Sequence, residues 1–220
     1  MGDYYKITNQ DENHHGYQYH DGLNIDTQTF NDDPQQSCVG GGLYFTDAQH
    51  LSQFLDYGIY LRQVTLPTDN DHFQMIKDPS GDKWRTNMII LQPREDLWTI
   101  NNITKFQLHK YVLDYASRHG LVNLLEGLKQ SGLQLNYTGN AIDSASQEGH
   151  VDVLEWWKQS RLPLKYTDYA LAGASRCGYV DVLEWWDRSG LQLKYTYDAL
   201  NFASEMGYID VLKWWKQSGL

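Results

Sequence analysis

Gly149-His-Val-Asp-Val-Leu-Glu-Trp-Trp157 returns as Gly178-Tyr-Val-Asp-Val-Leu-Glu-Trp-Trp186 and again as Gly207-Tyr-Ile-Asp-Val-Leu-Lys-Trp-Trp215, each 29 residues after the last. A weaker copy, Gly120-Leu-Val-Asn-Leu-Leu-Glu-Gly-Leu128, stands one period earlier without the tryptophan pair. Three residues before each glycine end the triplets Tyr115-Ala116-Ser117, Ser144-Ala145-Ser146, Gly173-Ala174-Ser175 and Phe202-Ala203-Ser204. Small residues there let two helices approach closely. The glycine supplies the left-handed residue that ends a first helix. After it, Val151, Val153, Leu154 and Trp157 follow the three-and-four spacing of a second helix with one apolar face.

Downstream of each second helix come Leu133-Gln-Leu135-Asn-Tyr137, Leu162-Pro-Leu164-Lys-Tyr166 and Leu191-Gln-Leu193-Lys-Tyr195. Their alternation suits an extended link. One unit is therefore helix, glycine turn, helix, link, and it buries its apolar stripe only by stacking on its neighbours. The spacing predicts four such units, with both tryptophans of each pair buried in the packing between them. Glu155, Glu184 and Lys213 are expected on a solvated face.

The array from about Lys105 to Leu220 resembles the ankyrin repeat. Gly149-His150 matches that family's Gly-His pair, and Val151, Val153, Leu154, Trp156 and Trp157 take the apolar places of its second helix. The family's unit is about 33 residues. Its Thr-Pro-Leu-His start is replaced here by Asn140-Ala-Ile-Asp143, Tyr169-Ala-Leu-Ala172 and Asp198-Ala-Leu-Asn201, so the shortfall falls on the finger where a β-hairpin would form. The Trp-Trp variant looks like the ankyrin-type repeats of giant amoeba viruses of the mimivirus kind. The resemblance implies a protein partner held on the concave side. There the first-helix residues that differ between copies are Asp143, Gln147, Ala172, Arg176, Asn201 and Glu205.

Residues 1–104 show no such period and read as an acidic α+β leader domain ahead of the α-helical ankyrin-type solenoid of 105–220. Tyr4–Thr8, Leu43–Thr46, Ile59–Thr65 and Asn87–Leu91 are strand-like by alternation or by β-branched and aromatic content. Asp47 is placed to cap a helix over Ala48–Leu55. Pro79–Asp82 is a turn suited to a hairpin before Trp84.

The net charge is -10. Residues 1–104 hold 6 of the 18 Lys+Arg but 15 of the 28 Asp+Glu, so the acidity is concentrated there. A surface of that sign repels phosphate backbones, which argues against nucleic acid as partner. A hydrophobic content of 41%, with 8 Trp and 16 Tyr, excludes a disordered chain. No apolar run is long enough to span a membrane, and no signal segment opens the chain, so a cytoplasmic or virion protein, not secreted, is expected.

Cys38 and Cys177 lie in no metal-ligand spacing. His14, His15 and His20 lack the further ligands of a metal site, and Gly40–Gly42 reads as a bend. No cofactor is expected. One enzyme reading remains as the alternative. His15-Gly16 followed by Gly42-Leu-Tyr-Phe45 resembles the His-Gly and Gly-X-Tyr-Phe elements of ADP-ribosyltransferases of the poly(ADP-ribose) polymerase type. That likeness implies NAD held by His15 and Tyr44, with Glu95 as the acid, and repeats that choose the target. Against it stands a non-enzymatic adaptor. A last expectation concerns Val211, Trp214 and Trp215, whose unadjusted apolar pattern points to self-association through the C-terminal repeat.

Overall fold

The computed structural model describes residues 3–110 and 112–220, in two compact units divided after Leu108. In the first, an antiparallel sheet is built from β1 (Tyr4–Thr8), β4 (Gly22–Ile25), β5 (Leu43–Asp47), β6 (Tyr60–Thr65), β7 (Met75–Lys77), β8 (Lys83–Thr86), β9 (Met88–Leu91) and β10 (Glu95–Asp96). Its order is β4-β9-β6-β1-β5-β8-β7. β9 and β10 share the outer side of β6, the first at Val64 and Thr65, the second at Tyr60 and Leu61. A small hairpin of β2 (Asn13–His14) and β3 (Tyr17–Gln18) stands apart. The core gathers Tyr19, Leu43, Phe45, Val64, Ile89 and Leu91, with Tyr4 and Trp84 edge-on beside Phe45 and Tyr4 respectively. A helix α1 (Ile100–Lys105), capped by the Thr99 hydroxyl, ends this unit, so Lys105 belongs here and bonds the Tyr5 hydroxyl.

The four strands expected from the sequence are β1, β5, β6 and β9, and Pro79–Asp82 turns between β7 and β8 with Gly81 left-handed. The helix expected over Ala48–Leu55 is a correction. Asp47 ends β5, and its carboxylate accepts the N–H groups of Gln49 and His50, closing a turn. The helical segment that follows is a 3-10 helix at Leu51–Tyr57, broken at Phe54. Asp47 thus caps, as its short acceptor side chain favours, but one turn upstream.

Two arginines are fully buried and organise the loops. Arg62 donates to Glu12, to Asp21 at 2.5 Å and to the Gln92 carbonyl at 2.9 Å. Arg85 reaches the carbonyls of Gln36 and Asp33 and the Tyr44 hydroxyl. Planar guanidinium forks satisfy several acceptors at once, which is what a buried cation needs. The Gly40–Gly42 bend is explained by this: Gly41 has φ +79°, and a Cβ on Gly42 would lie 2.2 Å from Arg85 Cγ.

The second unit carries α2 (Val112–Arg118), α3 (Val122–Gln130), α4 (Asn140–Gln147), α5 (Val151–Gln159), α6 (Tyr169–Cys177), α7 (Val180–Ser189), α8 (Asp198–Glu205) and α9 (Ile209–Ser218). First and second helices alternate, and the first helices α2, α4, α6 and α8 pack in series. The turn glycines Gly120, Gly149, Gly178 and Gly207 all have positive φ. The residue after each donates its N–H back to the alanine five residues earlier: His150 to Ala145, Tyr179 to Ala174. That is the 6→1 bond of a Schellman ending, and it accounts for the alanine at fixed distance. Among the described residues the links between helix pairs form no strand.

Candidate protein-binding surface and the leader pocket

The repeat is held across units by side chains spaced 24 to 40 residues apart. Trp157, Trp186 and Trp215 are buried, and their indole N–H groups donate to the hydroxyls of Ser117, Ser146 and Ser175 at 2.9 to 3.0 Å. The serine of each Ala-Ser pair is therefore the acceptor for a tryptophan one repeat on, as well as a small residue. A buried indole requires such a partner. The first tryptophan of each pair stands edge-on to the second, 5.1 to 5.2 Å between ring centroids.

Burial of that first tryptophan falls short of the expectation in two copies: Trp156 is buried, but Trp185 and Trp214 are half-buried. Trp156 and Trp185 donate to Glu126 and Glu155 of the preceding unit. Those bonds hold both carboxyls below the ordinary glutamate value. Glu155 is thus an inter-repeat acceptor rather than a member of a merely solvated face. Glu184 instead pairs with Arg188, and Lys213 with Asp210.

The links repeat as well. Tyr137 and Tyr166 donate their hydroxyls to the carbonyls of Pro163 and Gln192 on the next link, and Lys165 and Lys194 return bonds to the tyrosine carbonyls. The turn glycines have a second reason for lacking a side chain: a Cβ on Gly149 would sit 2.7 Å from the Tyr179 ring, and one on Gly178 2.9 Å from that of Tyr208. At Gly120 the ring is that of His150, whose Nε2 lies 3.0 Å from the Arg118 carbonyl.

On the first helices the six variable positions divide. Asp143 is buried, and its carboxylate accepts both the N–H and the hydroxyl of Thr167, as Asp114 does from Thr138. Burial raises its pKa, against the lowering effect of the threonine bonds. Ala172 occupies the same repeat position and is also buried. Helix spacing alone placed both on the open face; Thr167 of the neighbouring link covers Asp143. Gln147, Arg176, Asn201 and Glu205 are exposed. Val211 and Trp215 are buried and Trp214 is half-buried, while Tyr197, Leu200, Met206 and Ile209, in or beside the last helix pair, are exposed.

In the strand-rich unit, a pocket of about 550 Å³ is lined by β1, β5, the β2-β3 hairpin and Gly40–Gly42. His15 and Tyr44 both line it; Glu95 does not, being exposed on β10. The Tyr44 hydroxyl is engaged by Arg85 and by both backbone groups of Val39. Cys38 lies exposed at the rim, 3.5 Å from the Ser37 hydroxyl. His14 accepts the Asn9 N–H, and burial together with nearby Lys6 and His15 pushes its pKa down to about 4. Among the described residues, no three His, Cys, Asp or Glu groups converge to hold a metal, and no helix is long and apolar enough to cross a membrane.

No protein-family model matches the chain. An ankyrin repeat protein of Acanthamoeba polyphaga mimivirus is 44% identical over 144 residues, which is 63% of this chain and 71% of that protein. A second from the same virus is 33% identical over 148 residues, 64% of this chain but 44% of the relative. An uncharacterized protein of that virus is 48% identical over 88 residues, 40% of this chain and 63% of its own. The match over most of the chain, joined to the serial helix pairs with their Gly-His and Gly-Tyr turns, means that this protein belongs to the ankyrin repeat proteins of mimivirus type.

Proposed function

We propose that helices α2–α9 make four ankyrin-type repeats serving as a non-enzymatic protein-interaction module, an adaptor that engages host or viral proteins in the host cytoplasm or the virion. The observation that carries this reading is a contrast along the first helices. Tryptophan-serine bonds in the core and tyrosine-carbonyl bonds between the exposed links recur from copy to copy. On the surface, the repeat position held by Gln147, Arg176 and Glu205 changes in charge and size from copy to copy while remaining exposed, and Asn201 is exposed in the last copy. A constant scaffold under a varied face suits recognition of one partner's surface. The acidic strand-rich unit recruits a second partner, a basic one being favoured by its charge. Self-association through the C-terminal repeat is a further use of the same module, read by light scattering of the chain and of Trp214→Glu across a concentration series.

The transferase alternative finds His15 and Tyr44 on one pocket but no glutamate with them. The test of the adaptor reading is capture from infected amoebae with the full chain as bait. The pair Arg176→Glu and Glu205→Lys should lower recovery of the partner at least about tenfold, since reversed charges at an interface oppose binding. Unchanged recovery would show that this face is not the docking surface.

A further inference from the structure

The pocket of the strand-rich unit contains a group that the adaptor reading does not use. Lys6 is 7% exposed, yet among the described residues no carboxylate pairs with it. Its ammonium makes one hydrogen bond, to the Tyr44 carbonyl at 2.9 Å, and lies 4.3 Å from the centre of the Tyr19 ring. An ammonium carries three donors, and burying its charge without an anion is costly. Burial alone pulls its pKa down to about 7, so the charge persists only in part at neutral pH.

The walls around this cation are aromatic. Tyr17 and Tyr19 stand 4.8 Å apart between ring centroids, His14 meets Tyr19 edge-on at 5.8 Å, and Tyr57 lies 6.1 Å from His14. Tyr57 is 53% exposed and marks the mouth. Gly40, Gly41 and Gly42 also line the pocket. About 550 Å³ is the size of a small-molecule site, and such sites join apolar ring surfaces to a few placed polar groups.

We propose that this pocket binds a small planar aromatic anion, with the ring held among Tyr17, Tyr19 and Tyr57 and the anionic group paired with Lys6. The ring faces offer stacking and edge contacts to a flat ligand. The anion supplies the counter-charge that Lys6 lacks and fills its unused donors. A neutral ring forgoes the second contribution, and a saturated anion forgoes the first.

The test is an NMR and calorimetric titration of the full chain at pH 6.5 with 2-naphthoate, its neutral counterpart 2-naphthalenemethanol, and cyclohexanecarboxylate. The naphthoate should shift amide signals of Gly40–Gly42 and of the β2-β3 hairpin and bind at least about tenfold more tightly than either analogue. Lys6→Met should weaken naphthoate at least about tenfold and leave the neutral ring unaffected. Tyr57→Ala, at an exposed position, should weaken both ring ligands, and it decides the matter where Lys6→Met does not fold. Overturning results are no binding of naphthoate at millimolar concentration, equal binding of the neutral ring, shifts outside the pocket, or indifference to both substitutions.

Discussion

Replacing Trp186 with alanine isolates the packing on which the array depends. The side chain is fully buried, lies 4.8 Å from the tilted Tyr166 ring, meets Trp185 edge-on, and donates to Ser146 40 residues earlier. Truncating a tryptophan in such a place removes transfer free energy and leaves a cavity, together about 3–5 kcal/mol. Ser146 keeps its own bond to the Ile142 carbonyl, so it is left only with an unused acceptor, and no further large penalty follows. Against a domain stability of about 5–15 kcal/mol, the loss is a large fraction. Trp214 is the internal control. It occupies the first position of its pair, is half-buried, and has no indole bond among the described residues, so Trp214→Ala should cost about 1–2 kcal/mol. Urea unfolding of the two variants, followed by helical circular dichroism, measures both. A loss below about 1 kcal/mol for Trp186→Ala, or equal losses at the two sites, would refute the reasoning.

Two further perturbations test other parts of the structure. Arg161 sits at φ 63°, at the repeat position where Gly132, Gly190 and Gly219 adopt φ 71° to 75°. Arg161→Gly should therefore raise stability by about 0.5–1 kcal/mol, the relief of left-handed strain less the added freedom of the unfolded chain, and a lower urea midpoint would contradict it. Lys6 has a folded pKa of about 7 against an ordinary 10.5, so the unfolded chain binds the extra proton between those values. Stability from this group accordingly rises as pH climbs from 7 to about 10.5. Lys6→Met should lack that rise and exceed the parent most below pH 7; parallel stability curves for the two proteins would count against the unpaired buried amine.

Helix pairs, turn glycines and extended links were legible in the sequence because their causes are local. A left-handed turn needs glycine, a helix face needs spacing of three and four, and a 29-residue period displays both several times over. The sheet strands β1, β5, β6 and β9 were legible for the same reason. The strands of two or three residues were not, since alternation needs a longer run than β2, β3, β7 or β10 provide.

Partnership is what the tertiary structure alone decided. Nothing near Ser146 in the chain announces that it receives an indole N–H from Trp186. The same is true of Glu155 and Trp185, and of Asp143, which is buried under Thr167. Each pairing becomes visible only when successive units stack, because the separation of 24 to 40 residues is set by packing and not by helix geometry. The strand-rich unit has no repeat to offer even that hint. Its sheet order joins strands distant in the chain, and this brings Lys6, Tyr19 and Gly40–Gly42 around one pocket. Sequence determined where the chain turns and which faces are apolar; the fold determined which polar groups those faces cover, since desolvation depends on what is adjacent in space.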